Sequence, residues 1–151
     1  MHLAPTAGPT QEQVKRLEGF LLQCPQTDLG TQHHILKTPL GTLYARQITA
    51  PAGVIITGAA CGVDHLVTVQ GDITVSTDEG MTRLTGQHTF TARAGRKRVG
   101  MTHAETTWTT FQIVKGDTLE QIEDEITDEA DMLLTRRGLL PFDVSKALEG
   151  A

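Results

Sequence analysis

The sequence predicts a mainly β protein, folded as one small barrel or sandwich with a helix at each end. Between about His33 and Phe111, threonine, valine and isoleucine alternate with polar residues, which is the two-residue period of half-buried strands. Glycines and prolines interrupt this stretch at the spacing of short strands joined by turns. Outside it, apolar residues recur at three and four positions, as they do in amphipathic helices.

The N-terminal helix is predicted to begin after Thr10, because Thr10 and Gln13 have the spacing of a capping box. Its apolar stripe runs to about Leu22, and Pro25 ends it. The residues that form the stripe are Val14, Leu17 and Leu21.

A second helix is predicted near the C-terminus, where Asp117 and Glu120 have a cap-like spacing. Its apolar stripe consists of Leu119, Ile122, Ile126, Ala130 and Leu133. Its acidic face consists of Glu120, Glu123, Asp124, Glu125, Asp128, Glu129 and Asp131. Two interpretations are open: the apolar side packs on the barrel and the acids face water, or the helix faces a partner.

Beyond Gly138 the chain carries a short apolar tail, formed by Leu139, Leu140, Phe142 and Val144. Such a segment can fold back onto its own domain or dock on a neighbouring subunit, and we favour docking. The organisation predicted for the chain is an arm and helix (1–25), a β-barrel (26–116), and an acidic helix with an apolar tail (117–151).

The composition is that of one globular domain: 151 residues, of which 38% are hydrophobic and 21% charged. A net charge of -5 argues against general nucleic-acid binding, which needs a basic surface. The one basic cluster, interpreted as a solvated turn, is Arg93, Arg96, Lys97 and Arg98. No apolar stretch approaches a membrane span, and we expect Cys24 and Cys61 to be reduced, separate thiols.

Two segments share a strand, turn, strand pattern and carry a recognisable spacing. Asp64 stands seven positions before Gly71, and Gly95 and Gly100 precede His103. In this spacing the chain resembles the cupin superfamily, whose first motif has an acidic residue seven positions before a glycine and whose second has glycines before a histidine. Arg98 stands at the motif's proline position. The resemblance implies a single double-stranded β-helix, the cupin jelly-roll barrel.

A denser likeness, over roughly Gln26 to Asp128, is to the short cupin-like proteins of tailed bacteriophages and prophages. It rests on Pro25-Gln26-Thr27-Asp28-Leu29, Leu43-Tyr44-Ala45-Arg46, Asp64-His65-Leu66, Gly71-Asp72-Ile73-Thr74-Val75, Lys97-Arg98-Val99-Gly100, His103-Ala104-Glu105 and Trp108-Thr109-Thr110, among others. The resemblance implies a protein of the host cytoplasm and then of the virion. Its partners would be copies of itself and other virion proteins, with no membrane and no general nucleic-acid binding.

A metal in such a barrel needs about three convergent ligands. The candidates are His65, His103, Cys61 and Asp64, of which the first three form the predicted set. Asp64 and His65 are adjacent on a strand, so only one of them can face inward, whereas Cys61 and His65 could converge across a turn at Gly62. A set of one cysteine and two histidines would suit zinc.

Two functions are therefore predicted. In the first, which we favour, the protein is a structural or interaction component of a virion and not an enzyme, with the barrel as a scaffold and the termini making contacts. In the alternative it is a small metal-dependent enzyme acting on a small organic substrate. That enzyme would use zinc, iron, nickel or manganese, with Glu105 as an acid or base.

Overall fold

The structure is a computed structural model that describes residues 8–27, 29–77 and 79–133. Its elements, in chain order, are α1 (Gln11–Leu21), β1 (Gln32–Thr38), β2 (Gly41–Ala50), β3 (Ile55–Thr57), β4 (His65–Thr77), β5 (Gly80–Ala92), β6 (Val99–Thr102), β7 (Thr106–Val114), α2 (Leu119–Ile126) and a 3₁₀-helix (Ala130–Met132). The predicted partner-binding residues Leu139, Leu140, Phe142 and Val144 lie outside the described residues. In the part that is described, no helix has the length and apolar character needed to span a membrane.

The mainly β prediction is confirmed by a curled antiparallel sheet. Its strand order is β1-β2-β7-β4-β6-β3, and β5 pairs with the other edge of β4. The first half of β4 (66–70) pairs with β7, whereas its second half (73–75) pairs with β6. β4 also pairs with β5 along its full length. One long strand thus belongs to two parts of the sheet, and the sheet folds over between them.

Gly71 marks the point where β4 changes neighbours. Its φ is +146°, and a Cβ atom built there would lie 2.5 Å from Thr106 Oγ1 and 2.6 Å from Glu105 O. Those distances are shorter than any Cβ contact can be, so β7 can approach the bend only because residue 71 has no side chain.

The barrel core forms because inward positions alternate along each strand. One cluster joins Tyr44, Val114, Ile122 and Ile126. Ile122 of α2 is fully buried there, so α2 covers one end of the barrel with its apolar side. A second cluster on β4 consists of Val69, Ile73 and Val75, against which Leu84, Phe90 and Trp108 pack.

The predicted start of α1 is confirmed. The Thr10 side chain accepts from Gln13 N, and the Gln13 side chain accepts from Thr10 N, which together form a capping box. Val14, the first residue of the predicted stripe, is buried.

The prediction for α2 needs three corrections. Its N-cap is Thr118, paired with Gln121, rather than Asp117 with Glu120. The helix ends at Ile126 instead of continuing to Leu133, because Thr127 is extended and its hydroxyl donates to Ala60 O at 2.6 Å. Glu123, which we placed on the solvated face, is 2% exposed.

The basic cluster is also corrected at one residue. Arg93 and Arg96 are exposed, but Lys97 is 2% exposed. Its Nζ lies 2.9 Å from a Glu18 carboxylate oxygen of α1 and 2.6 Å from one of Glu129. Gln11 also exchanges hydrogen bonds with the Lys97 backbone at both N and O. Lys97 therefore joins α1 and the segment after α2 to the barrel.

Candidate functional site

The barrel encloses a cavity of about 470 Å³ beneath α1 and the segment that follows α2. Its walls combine inward side chains of β2, β4 and β7. The register explains this arrangement: Arg46 pairs with Thr110, which in turn pairs with Val67, so all three side chains share one face. The same alternation places Trp108 on the wall two residues away.

Arg46 is the charged group of this wall that lacks a full set of hydrogen bonds. Its Nε is buried and has no hydrogen-bond partner among the described residues. Burial lowers the pKa of Arg46, while nearby Tyr44 and Glu123 act in the opposite direction. A guanidinium stays charged even so, because its ordinary pKa is far above neutrality. Arg46 therefore lines the cavity as a cation that keeps one buried N–H donor unpaired within the described residues.

Tyr44, two residues before Arg46 on β2, is fully buried in the core cluster beneath α2. Its hydroxyl is 2.7 Å from Nδ1 of His33, and the two rings stack with centroids 6.0 Å apart. Burial raises the pKa of Tyr44 to about 12, so the hydroxyl keeps its proton at neutral pH. Burial also lowers the pKa of His33, so this pair is neutral.

Cys61 and His65 meet on the same cavity wall. Gly95 N donates to Cys61 O at 2.8 Å, and Gly62 N donates to Ile126 O at 2.6 Å, so the turn at Gly62 is fixed on both sides. His65, the first residue of β4, lies close enough across this turn to influence the ionisation of the Cys61 thiol. Its Nδ1 is also 3.0 Å from Val63 O, and since a carbonyl only accepts, Nδ1 donates there.

Gln112 completes the surroundings of the thiol. Its Nε2 donates to Cys61 Sγ at 3.6 Å. Gln112 as a whole is only 4% exposed. Its Oε1 is buried and has no hydrogen-bond partner among the described residues. Gln112 and Arg46, two residues that line this cavity, thus each keep one buried polar atom without a partner among the described residues.

The ionisation of the two groups is coupled. Burial alone would raise the pKa of Cys61, but hydrogen bonds from His65, the Val63 backbone and Gln112 outweigh it and lower the pKa. The hydrogen bond to Cys61 raises the pKa of His65 above its ordinary value, against the opposing effects of burial and of Arg98. Both shifts favour a thiolate beside an imidazolium.

The predicted metal ligands are only partly brought together. Cys61 and His65 both line the cavity, but His103 is exposed and its Nε2 lies 2.7 Å from Thr74 Oγ1 on the outer face of β4. The reason is alternation: Thr102 takes the inward position, with its hydroxyl donating to Pro51 O at 2.6 Å, so the next residue points outward.

Glu105, the predicted acid or base, is exposed in the same loop as His103. Within residues 8–27, 29–77 and 79–133, no three histidine, cysteine or acidic side chains cluster as a metal site would require. The residues present therefore do not fit the predicted metal. Asp64 is exposed and accepts from Ala94 N at 2.8 Å, so it plays no part in the cavity.

Arg46 and Gln112 were not among the residues predicted for the site. Each is a polar residue at an inward position of a strand whose other inward positions are mainly apolar residues or threonine. That pattern could have indicated a cavity wall. The pattern alone does not show that the barrel encloses a space large enough for a ligand.

No known family's sequence profile matches this chain, and no curated protein matches it in sequence. Solved structures do resemble it in fold. A cupin superfamily protein of Desulfitobacterium hafniense is 10% identical, with 60% of this chain and 84% of that one covered and a TM-score of 0.44. The Cupin_2 domain of an XRE family transcriptional regulator of Enterobacter cloacae is 9% identical, with 59% and 100% covered and a TM-score of 0.48.

KdgF from a Halomonas species is 18% identical, with 60% of this chain and 84% of that one covered and a TM-score of 0.43. At these identities the likeness concerns the fold alone. Several of these structures are described as cupin proteins or domains. The curled antiparallel sheet with its two helices is consistent with the predicted jelly-roll barrel.

Proposed function

We propose that the barrel interior binds a small organic anion. The observation that carries this proposal is the buried Arg46 guanidinium, whose Nε has no hydrogen-bond partner among the described residues. A guanidinium in a low-dielectric site pairs strongly with a carboxylate or phosphate, often through two parallel hydrogen bonds. The cavity of about 470 Å³ is of the size that small-molecule sites use, and Ile48 and Trp108 supply apolar wall for the body of the ligand.

Glu123 offsets part of the Arg46 charge through space, whereas Arg96 and Arg98 also line the cavity and add positive charge to its wall.

Trp108, the only tryptophan of the chain, lines the cavity and its fluorescence can report binding directly. We expect hexanoate to bind about tenfold more tightly than the neutral hexanamide, since a hydrogen bond to a charged group contributes more than one between neutral groups. The variant Arg46→Met should lose this preference while binding hexanamide as before. Fluorescence titration of both probes measures the two affinities.

The control is Arg16→Met, which removes a guanidinium from the surface of α1, where it pairs with Glu12. It should leave both affinities unchanged. Equal binding of hexanoate and hexanamide by the unaltered protein would contradict the proposal, as would an undiminished preference in Arg46→Met.

The interaction role predicted from the sequence is our second proposal, and an apolar surface favours it. The outward residues Leu36, Leu43 and Ile113 face one another across β1, β2 and β7, and Phe111 and Leu66 continue the surface across β7 and β4. Leu36 is 58% and Ile113 71% exposed. We call these five residues the outer sheet face.

We propose that the outer sheet face associates with a second copy of the chain. These five residues are apolar, so the face can bury itself against the same surface of another copy in a two-fold arrangement. β1 lies at the end of the strand order, and its outer edge, which pairs with no other strand of the described residues, adds backbone groups next to that face. In a phage particle such oligomers would be building blocks that also contact other virion proteins.

Light scattering after size-exclusion chromatography should show a dimer or larger oligomer for the unaltered protein and a monomer for Leu36→Lys combined with Ile113→Lys. A buried ammonium on each side of a two-fold interface would oppose association. Phe20→Lys is the matched control, because Phe20 is 63% exposed on α1, whose main contact in the sheet is β3. An unaltered protein that is monomeric at high concentration would rule out this interface.

A further inference from the structure

One wall of the cavity is made by residues that do not belong to the sheet. Glu18, Leu21 and Leu22 line it from α1 and the residue after it, and Cys24 lines it from the segment that follows. The strand walls are held by ladders of backbone hydrogen bonds, but this wall is not part of any ladder. We call residues 11–25 the cover.

The cover buries little apolar surface. Within the described residues, α1 buries one side chain, that of Val14, whereas Phe20 is 63% exposed. Segments with few buried apolar contacts open locally at a lower free-energy cost than the rest of a domain. An isolated helix of this length is also marginal in water. Polar contacts therefore decide how firmly the cover stays closed.

Those polar contacts converge on Lys97. Its Nζ lies 2.9 Å from Glu18 Oε2. Its backbone N donates to Gln11 Oε1 at 2.7 Å, and its backbone O accepts from Gln11 Nε2 at 3.2 Å. Gln11 and Glu18 are about two helical turns apart, so one residue binds α1 near both of its ends. We call these contacts of Gln11 and Glu18 with Lys97 the latch.

Lys97 is itself held in place from the other side. Its Nζ lies 2.6 Å from Glu129 Oε2, an atom that also accepts from Ala60 N at 2.9 Å. The Lys97 side chain is 1% exposed. A buried ammonium keeps its position, because leaving its partners would strand the charge. Lys97 is thus a fixed point of the barrel to which the cover is attached.

We propose that the cover opens and closes over the cavity, and that the latch sets the rate at which a ligand enters and leaves. The proposal rests on the proposed function in one respect, that the cavity takes a ligand. Opening requires no change in the sheet, because the pair of Lys97 and Glu129 and the strand ladders stay intact. A molecule in the cavity touches the cover and so favours the closed state.

The test compares a latch variant with a control on the same helix. The latch variant combines Gln11→Ala with Glu18→Gln, and it keeps Lys97 paired with Glu129, so the ammonium is not left alone. The control is Glu12→Gln, which removes a carboxylate that is 76% exposed and pairs with a neighbouring side chain of α1. Equal amide hydrogen exchange in β4 and β5 shows that the barrel is folded in both.

Two readouts follow the cover without requiring an anion to bind. Amide hydrogen exchange of α1 measures its opening. Labelling of Cys61 by the uncharged reagent N-ethylmaleimide measures access to the cavity, and Cys24→Ala in both proteins leaves Cys61 as the reacting thiol. Both rates should rise about tenfold in the latch variant, because hydrogen bonds to a charged group are lost. Both should stay unchanged in the control.

Hexanoate then tests ligand exchange through the fluorescence of Trp108. Its association and dissociation rates should each rise about tenfold in the latch variant, because the cover opens more often. The proposal is overturned if Cys61 labelling or the hexanoate rates are the same in the latch variant and the control. If hexanoate does not bind the unaltered protein, the anion-binding function fails, while Cys61 labelling still decides whether the latch controls access.

Discussion

Gly71→Ala should lower the free energy of unfolding by about 3 kcal/mol, the largest loss we expect from adding one methyl group to this chain. Two effects add together. Residue 71 has φ of +146°, which side chains rarely adopt, and the new Cβ would lie 2.5 Å from Thr106 Oγ1 and 2.7 Å from Thr106 Cα. Thr106 is 2% exposed and its hydroxyl bonds Asp72 N and O, so β7 cannot move away without breaking those contacts.

The sheet itself provides the control, since Gly86 of β5 pairs with Gly71. Gly86 has φ of +80° but nothing within 4 Å of its Cβ position. Gly86→Ala should therefore cost only the backbone strain, on the order of 1 kcal/mol. Urea unfolding of both variants measures the difference, and equal losses would show that the close approach of β7 at the bend contributes nothing.

Lys97→Met should destabilise the fold by about 3 kcal/mol, at the lower end of the range for breaking a buried ion pair. The Lys97 side chain is 1% exposed, whereas the carboxylates of Glu18 and Glu129 are 17% and 29% exposed and partly solvated. Removing the ammonium leaves both acids facing each other without a cation. Arg93→Met, an exposed neighbour in the same basic cluster, should change stability by less than about 0.5 kcal/mol.

Lys97→Met should also change how the stability of the fold depends on pH. Burial would raise the pKa of Glu129, but hydrogen bonds from Lys97 and from Ala60 N outweigh it and hold that pKa below the ordinary value. A depressed pKa means that Glu129 stabilises the fold above its unfolded pKa and loses this contribution as the pH falls through its folded pKa. In thermal melts between neutral and strongly acidic pH, the melting temperature of Lys97→Met should therefore fall less on acidification than that of the unaltered protein. If the melting temperature fell equally with pH in both proteins, the contact with Lys97 would not be what lowers the pKa of Glu129.

Sequence patterns predicted the features of the fold that depend on interactions between residues close in sequence. The capping box of Thr10 and Gln13 is complete within four residues, so the start of α1 followed from the sequence. The mainly β class followed from strand periodicity and from turn residues in the same way. The placement of Cys61 and His65 on one cavity wall, on either side of Gly62, is likewise a short-range feature.

Long-range packing decided the features that the sequence did not indicate. Lys97 is buried because Glu18 and Glu129, distant in sequence, converge on it, and the composition of its own segment indicates only a basic turn. α2 ends at Ile126 because Thr127 bonds Ala60 across the barrel, although the apolar stripe continues. His103 points outward because Thr102 is bound to Pro51, and no motif at His103 shows that contact.

The β4–β5 hairpin also bears on the order in which the chain folds. The two strands of 13 residues each are joined by a tight turn, so their whole ladder closes with little loss of loop entropy. The β2–β7 ladder instead joins Thr42 to Val114 and Ala50 to Thr106, across most of the barrel's sequence. We therefore expect the hairpin to form early and β2–β7 pairing to set the folding rate. Because Arg46 and Gln112 are brought together only by that late ladder, the cavity is the last part of the barrel to assemble.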